Sequence, residues 1–174
     1  MEPFLNPPQV LAQLEYHKRM VAADFGSGSG GWALPLAKIL EDGKVYAIDL
    51  LPAPLSALKS RLTAEKILNI EIVCSNIEEK NGSKLKNESV DLVLMTNFLF
   101  QVEKKDLVFE EAKRILRAKG KILVVDWKND SVLGPENGRF PAEKAKEVAK
   151  AHGFVLENEF SAGKSHYALV FTKA

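Results

Sequence analysis

The stretch VAADFGSGSGG, Val21 to Gly31, decides how the rest of the chain is read. Val21, Ala22 and Ala23 form a short apolar run that ends at an acid, Asp24, and Gly26, Gly28, Gly30 and Gly31 then crowd the next few positions. The following WALPLAKIL reads as a helix, with Trp32, Leu36, Ile39 and Leu40 on one apolar face and Pro35 in its first turn, where a missing N–H costs least. The result is strand, glycine loop, helix. Residues without Cβ tolerate positive φ and let backbone N–H groups approach a ligand, while the helix N-terminus adds unpaired donors and a partial positive charge. A mere connection would not carry the chain entropy of so many glycines.

Two nucleotide-binding patterns fit this loop. Gly26, Gly28 and Gly31 satisfy G-x-G-x-x-G, the dinucleotide fingerprint. Asp24, Gly26, Gly28 and Gly30 satisfy the acid-x-G-x-G-x-G pattern of class I methyltransferases that use S-adenosylmethionine (SAM). The carboxylate separates them. A dinucleotide would bring a doubly negative pyrophosphate toward Asp24, whereas SAM brings an ammonium and a sulfonium that an acid attracts. Asp24 favours SAM. A second acid, Asp49, ends the strand VYAID about 20 residues further on, where a ribose-binding carboxylate is expected after such a loop; without a ligand it would mark a turn.

The rest of the chain sets bounds. At 174 residues, 46% hydrophobic and 27% charged, it is expected to form one domain, residues 1–174, with a substantial core. A formal charge of +1 gives no reason to expect nucleic acid. The single cysteine, Cys74, lies in an apolar run and reads as a buried structural thiol; with three scattered histidines it offers no metal-ligand spacing, so no metal is expected. MEPFLNPPQ lacks the pattern of a secretion signal and no apolar run reaches membrane-spanning length, so a cytoplasmic protein is expected.

Taken in order, Asn6 caps a helix in QVLAQLEYH, with Tyr16 and His17 read as surface residues at its end. Strands follow at 45–49, 70–76, 90–96 and 121–127, separated by helices at 54–66 and 103–117 and by the turn-rich NGSKLKNES. Residues 128–140 read as an irregular loop and 141–152 as a last helix. The tail reads as two strands joined by Ser161 to Ser165, too short a joint for a parallel crossover and therefore a hairpin. Alternating strands and helices imply a parallel sheet covered on both faces.

Over nearly its whole length, about Phe4 to Lys173, the chain resembles the class I, seven-stranded SAM-dependent methyltransferases, and within them the ubiquinone and menaquinone group. The resemblance rests on DFGSGSG, AIDL, SVDLVLMTNFLFQV, EEAKRILRAKGKILVVDW and AHGF. It implies an α/β three-layer Rossmann-like sandwich, a mostly parallel seven-stranded sheet closed by an antiparallel hairpin. It also implies SAM as cofactor and S-adenosylhomocysteine as product. By position, Asp24, Gly26, Gly28 and Gly30 would form the methionine end of the site. Asp49 would hold the ribose and Leu50 would lie against the adenine. Asn76, with Ile77 beside it, stands where the family commonly has an adenine-binding Asp; its amide oxygen can still accept, without charge assistance. Asn97 would bring backbone to the cofactor near the reactive methyl.

Because the last strand runs antiparallel, its start reaches the edge where the parallel strands end, which nominates His166, Tyr167 and Asp126 as candidates for acid–base work, with His17 a further possibility. The other reading of His166 is a hairpin histidine in water. Methyl transfer is an in-line displacement at an already activated carbon, so positioning and exclusion of water can supply much of the rate without a base. Phe98 or Phe100 would suit an apolar or aromatic acceptor. The helix within residues 1–20 and the 128–140 loop are the candidate covers. So short a chain leaves the acceptor cavity small, shared between two copies, or open to a docked protein lysine. Either a monomer or a homodimer is compatible. The competing classes are a module that holds SAM without turnover and a nicotinamide-dependent reductase.

Overall fold

The computed structural model describes residues 4–174; Pro3 of the expected N-terminal cover lies outside them. Seven strands form one sheet in the order β3-β2-β1-β4-β5-β7-β6: β1 (Val21–Phe25), β2 (Lys44–Asp49), β3 (Ile70–Cys74), β4 (Val90–Thr96), β5 (Leu116–Trp127), β6 (Phe154–Ser161) and β7 (His166–Lys173). The first five are parallel, and β7 enters antiparallel between β5 and β6. The hairpin expected from the short joint therefore closes the sheet.

Helices cover both faces. Residues α1 (Pro7–Leu11), α2 (Ala33–Ile39) and α3 (Pro52–Glu65) send Val10, Leu11, Leu36 and Leu58 into a core with Ala22, Leu94, Val125 and Val170. On the opposite face α4 (Lys105–Ile115) and α5 (Ala142–Ala151) bury Val108, Phe109, Ile115 and Ala149 against Phe25, Met95, Val124 and Phe171. The alternation of strand residues between these two cores is the period of the pleat, and each large side chain so buried contributes about 1.5–3 kcal/mol.

Several boundaries differ from those the sequence suggests. Helix α4 stops at Ile115, and Leu116 already pairs with Val90; residues 117–120 then loop out, with Lys119 left-handed at φ +61, before the ladder resumes at Lys121. Helix α1 is only five residues long, and α3 begins at Pro52, which suits a first turn. Cys74 is exposed rather than buried, because β3 is an edge strand whose faces are only partly covered. Tyr16 is half-buried against the α1–α2 core, with its hydroxyl unpaired and its pKa raised by burial. The turn-rich segment is fastened to α4: Glu111 accepts from the Ser83 N–H and hydroxyl, and Arg114 bridges Glu111, Leu85 and Asn87.

Candidate cofactor site

The strand order reverses between β1 and β4, and open α/β sheets bind ligands beyond the strand ends at such a point. The chain leaves β1 through Gly26 (φ +72) and Gly28 (φ +53), backbone values that side chains rarely adopt. The N–H groups of Gly26 and Ser27 donate to the Ile48 carbonyl at 2.9 and 3.0 Å. The Gly28 N–H donates to Asp49 Oδ2 at 2.8 Å, while Oδ1 accepts from Leu51 N–H at 2.9 Å. Each Asp49 oxygen keeps acceptor capacity for a further donor. Gly30 is also left-handed, at φ +91, and a Cβ there would stand 2.4 Å from Leu58 Cδ1 of α3.

A cleft of about 220 Å³ opens over these ends. Gly26, Asp49, Leu50, Asn76 and Ile77 line it, as do Leu51, Ser75, Glu78, Phe98, Gln101 and Val102. Asn76 Oδ1 accepts from the Glu78 N–H at 3.0 Å. Glu78 in turn accepts from the N–H groups of Glu103 and Lys104 at 3.0 and 2.7 Å, tying the loop after β3 to the start of α4. Ser75 and Glu78 belong to no motif and are polar residues following β3; Gln101, within the FLFQV run, lies on the short turn after β4.

Four side chains around this region carry buried oxygens without a hydrogen-bond partner: Asp24, Ser27, Ser75 and Asn97. Asp24 is 1% exposed and both its oxygens are unpaired. Burial, and then the nearby charge of Asp49, push its carboxyl up to about 8. Asn97 takes a left-handed φ of +48, donates its N–H to the Val125 carbonyl at 2.7 Å and accepts from Gln101 Nε2 at 2.8 Å, while Oδ1 is left over. Buried polar groups are nearly always satisfied, and these four stand unsatisfied at the ends of β1, β3 and β4.

The acid–base candidates are not gathered on the cleft. Asp126 is fully buried, accepts from the N–H groups of Trp127 and Phe100 at 2.8 and 3.2 Å, and has its carboxyl raised to about 6 by burial, against the lowering effect of those donors. Tyr167 donates its hydroxyl to the Phe140 carbonyl at 2.7 Å, and burial raises its pKa. His166, on the other face of the sheet, is 2% exposed, not in water; it lies against Trp127 with ring centroids 4.0 Å apart. Burial, and then the charge of Lys128, hold it down at about 4. The 128–140 loop covers this corner, with Gly134 seated on the Trp127 ring. Arg139 holds the loop by donating to the carbonyls of Lys128, Asn129, Leu133 and Pro135. His17 is exposed at the opposite edge of the sheet, before β1, and is removed from the chemistry.

Residues 23–124 match the family described as methyltransferase domain, and they contain the loop, Asp49, Asn76 and Asn97. The chain belongs to the methyltransferase domain family. This methyltransferase domain is 25% identical over 118 residues to demethylmenaquinone methyltransferase of Bacillus mycoides (strain KBAB4), an alignment covering 67% of the chain. It spans about half, 48%, of that curated relative. Among solved structures it resembles a SAM-dependent methyltransferase from Aquifex aeolicus, with a TM-score of 0.89, 21% identity, and coverage of 98% of this chain and 90% of that one. It also resembles the [4+2]-cyclase SpnF, with a TM-score of 0.80, 14% identity, and coverage of 95% and 80%.

The residues present fit S-adenosylmethionine, the cofactor that the sequence motifs imply. An unpaired buried carboxylate suits an ammonium, a strand-ending acid with spare acceptor capacity suits a diol, and an apolar-walled cleft suits a flat base. Among the described residues no group of three His, Cys, Asp or Glu side chains is placed to hold a metal ion. No helix there is long and apolar enough to cross a membrane.

Proposed function

We propose that the protein transfers the sulfonium methyl of SAM to a small apolar or aromatic acceptor. The observation that carries the cofactor half is the sealed, unpaired carboxyl of Asp24 beside Gly26 and Gly28, whose charged form pairs with an ammonium and repels a pyrophosphate, which stands against a nicotinamide cofactor. In this reading Asp24 and Asn97 meet the amino-acid end, Asp49 takes the ribose, and Leu50, Asn76 and Ile77 surround the base. Bound SAM supplies a carbon already activated for displacement. The chain's own residues contribute alignment and a dry environment.

The acceptor side of the proposal rests on apolar side chains at the same edge. Phe98 and Phe100 flank the end of β4, and Val132 and Leu133 stand exposed on the 128–140 loop, which would cover the acceptor. The curated relative is named for demethylmenaquinone, and a quinone-type ring is the acceptor class this surface would suit. Incubation with methyl-labelled SAM and a panel of quinols, phenols, thiols, amines and peptides tests it. Label in a quinol or phenol is expected, and label only in peptides would transfer the assignment to a protein-lysine substrate.

One observation favours a second reading, a domain that holds SAM or its demethylated product without turnover. None of His166, Tyr167 and Asp126 reaches the cleft: each is buried, and two are already engaged with backbone. Tight cofactor binding with no labelled product across the panel would select that reading.

A further inference from the structure

The backbone that carries Phe98 is pinned on both sides. Asn97 is fixed in its left-handed turn by the Val125 carbonyl and the Gln101 amide, and three residues later Asp126 accepts the Phe100 N–H. With these neighbours held, the ring of Phe98 moves most readily by rotation about its side-chain torsions. Its ring lies on the bare Cα of Gly26: a Cβ built there would stand 2.4, 3.0 and 3.2 Å from Cδ2, Cε2 and Cγ. The open cleft includes both these residues and stops short of Asp24, Ser27 and Asn97, whose side-chain oxygens are buried and unpaired.

The two halves of the cofactor meet this arrangement differently. Its adenosine half is neutral and flat, and the space beside Asp49, Leu50 and Asn76 is open to it. Its amino-acid half is a zwitterion, which must find charged and polar partners when it leaves water. Of the four unpaired groups, Ser75 lines the open space beside the nucleoside end, and Asp24, Ser27 and Asn97 are the ones excluded from it.

We propose that Phe98 divides the cofactor site and gates its amino-acid half: with the ring on Gly26 the site admits a nucleoside, and with the ring rotated away it admits the zwitterion to Asp24, Ser27 and Asn97. The proposal rests on the cofactor reading above and adds a discriminating residue to it. A site whose competent form is only partly populated binds its ligand more weakly by that fraction. Removing the ring lifts this penalty for the ligand that needs the gate open, and for no other.

The test is calorimetric titration of the wild-type chain, Phe98→Ala and Phe98→Leu with two ligands, S-adenosylhomocysteine and 5′-methylthioadenosine, which keeps the nucleoside and the sulfur and lacks the amino acid. Phe98→Ala removes the same wall contact from both ligands, and should tighten S-adenosylhomocysteine about threefold or more relative to methylthioadenosine. Phe98→Leu, which keeps apolar bulk without the flat ring, should act in the same direction and decides the matter if the alanine variant does not fold. Equal changes for both ligands, or S-adenosylhomocysteine gaining nothing relative to methylthioadenosine in either variant, would overturn the gate and leave Phe98 an ordinary cleft wall. A wild-type chain that binds neither ligand would sink the cofactor reading itself, and the gate with it.

Discussion

Asp49 holds the Gly28 N–H at 2.8 Å, so the acid that ends β2 and the glycine loop that follows β1 form one bonded unit. Loss of that carboxylate acts twice, on the ligand and on the loop. Asp49→Ala should weaken S-adenosylhomocysteine binding by about 1–3 kcal/mol, as charged hydrogen bonds disappear and the Gly28 and Leu51 N–H groups lose their acceptor. Calorimetry checks the first effect and thermal unfolding the second. Unchanged affinity would place the ribose elsewhere.

Three buried groups give the ligand-free protein a pH signature. Asp24, at about 8 against an ordinary 3.8, holds a proton that the unfolded chain has shed, so its contribution to stability is complete at low pH and is lost as pH rises through 8. Asp126 acts with the same sign up to about 6. His166 acts with the opposite sign: held at about 4 against 6.5, it favours the folded state above 6.5 and loses that contribution as pH falls through 4. Between pH 6.5 and 8 Asp24 alone of the three is changing. The melting temperature should fall across that window, and Asp24→Asn should flatten the fall. Binding of S-adenosylhomocysteine at pH 7 should release about one proton, read from titrations in buffers of different ionisation enthalpy. A flat wild-type profile would mean the carboxylate is already charged in the free protein.

Gly26 and Phe98 form a pair suited to a double-mutant cycle. Gly26→Ala should destabilise by about 1–2 kcal/mol from its positive φ alone, and by more because the new methyl meets the Phe98 ring. Combining it with Phe98→Ala relieves the second effect and leaves the first, so the two changes should couple by about 0.5–3 kcal/mol. Chemical denaturation of the four proteins measures it. Strict additivity would separate the ring from the glycine.

The cofactor half was the legible part of this chain because it is written in backbone conformation and strand ends. Gly26 and Gly28 occupy turns that require glycine, and Asp49 ends a strand that can be recognised by its apolar run. Which aromatic of the FLF run would face the glycine loop could not be read, since it depends on the left-handed turn at Asn97, and nothing in an asparagine announces that φ. The burial of His166 was hidden for a related reason: it lies against Trp127 across the sheet pairing, on a ring that Gly134 of the next loop folds back onto. The exposure of Cys74 follows from the place of β3 at the rim of the sheet, which its five residues do not encode.

Arg139→Ala should open residues 128–140 to limited proteolysis, leave S-adenosylhomocysteine affinity as it is, and lower turnover of the acceptor. The contrast follows from where the arginine donates, on the loop rather than on the cleft. Wild-type resistance to protease in the variant would show that packing on Trp127 suffices.

All four carbonyls that receive the Arg139 guanidinium belong to residues 128–135, so the segment stores its shape in a side chain of its own. Such a piece is portable. A lineage could lengthen it, rewrite its tip or graft another in its place and so exchange one acceptor for another, while the half of the molecule that handles the methyl donor went on unaltered.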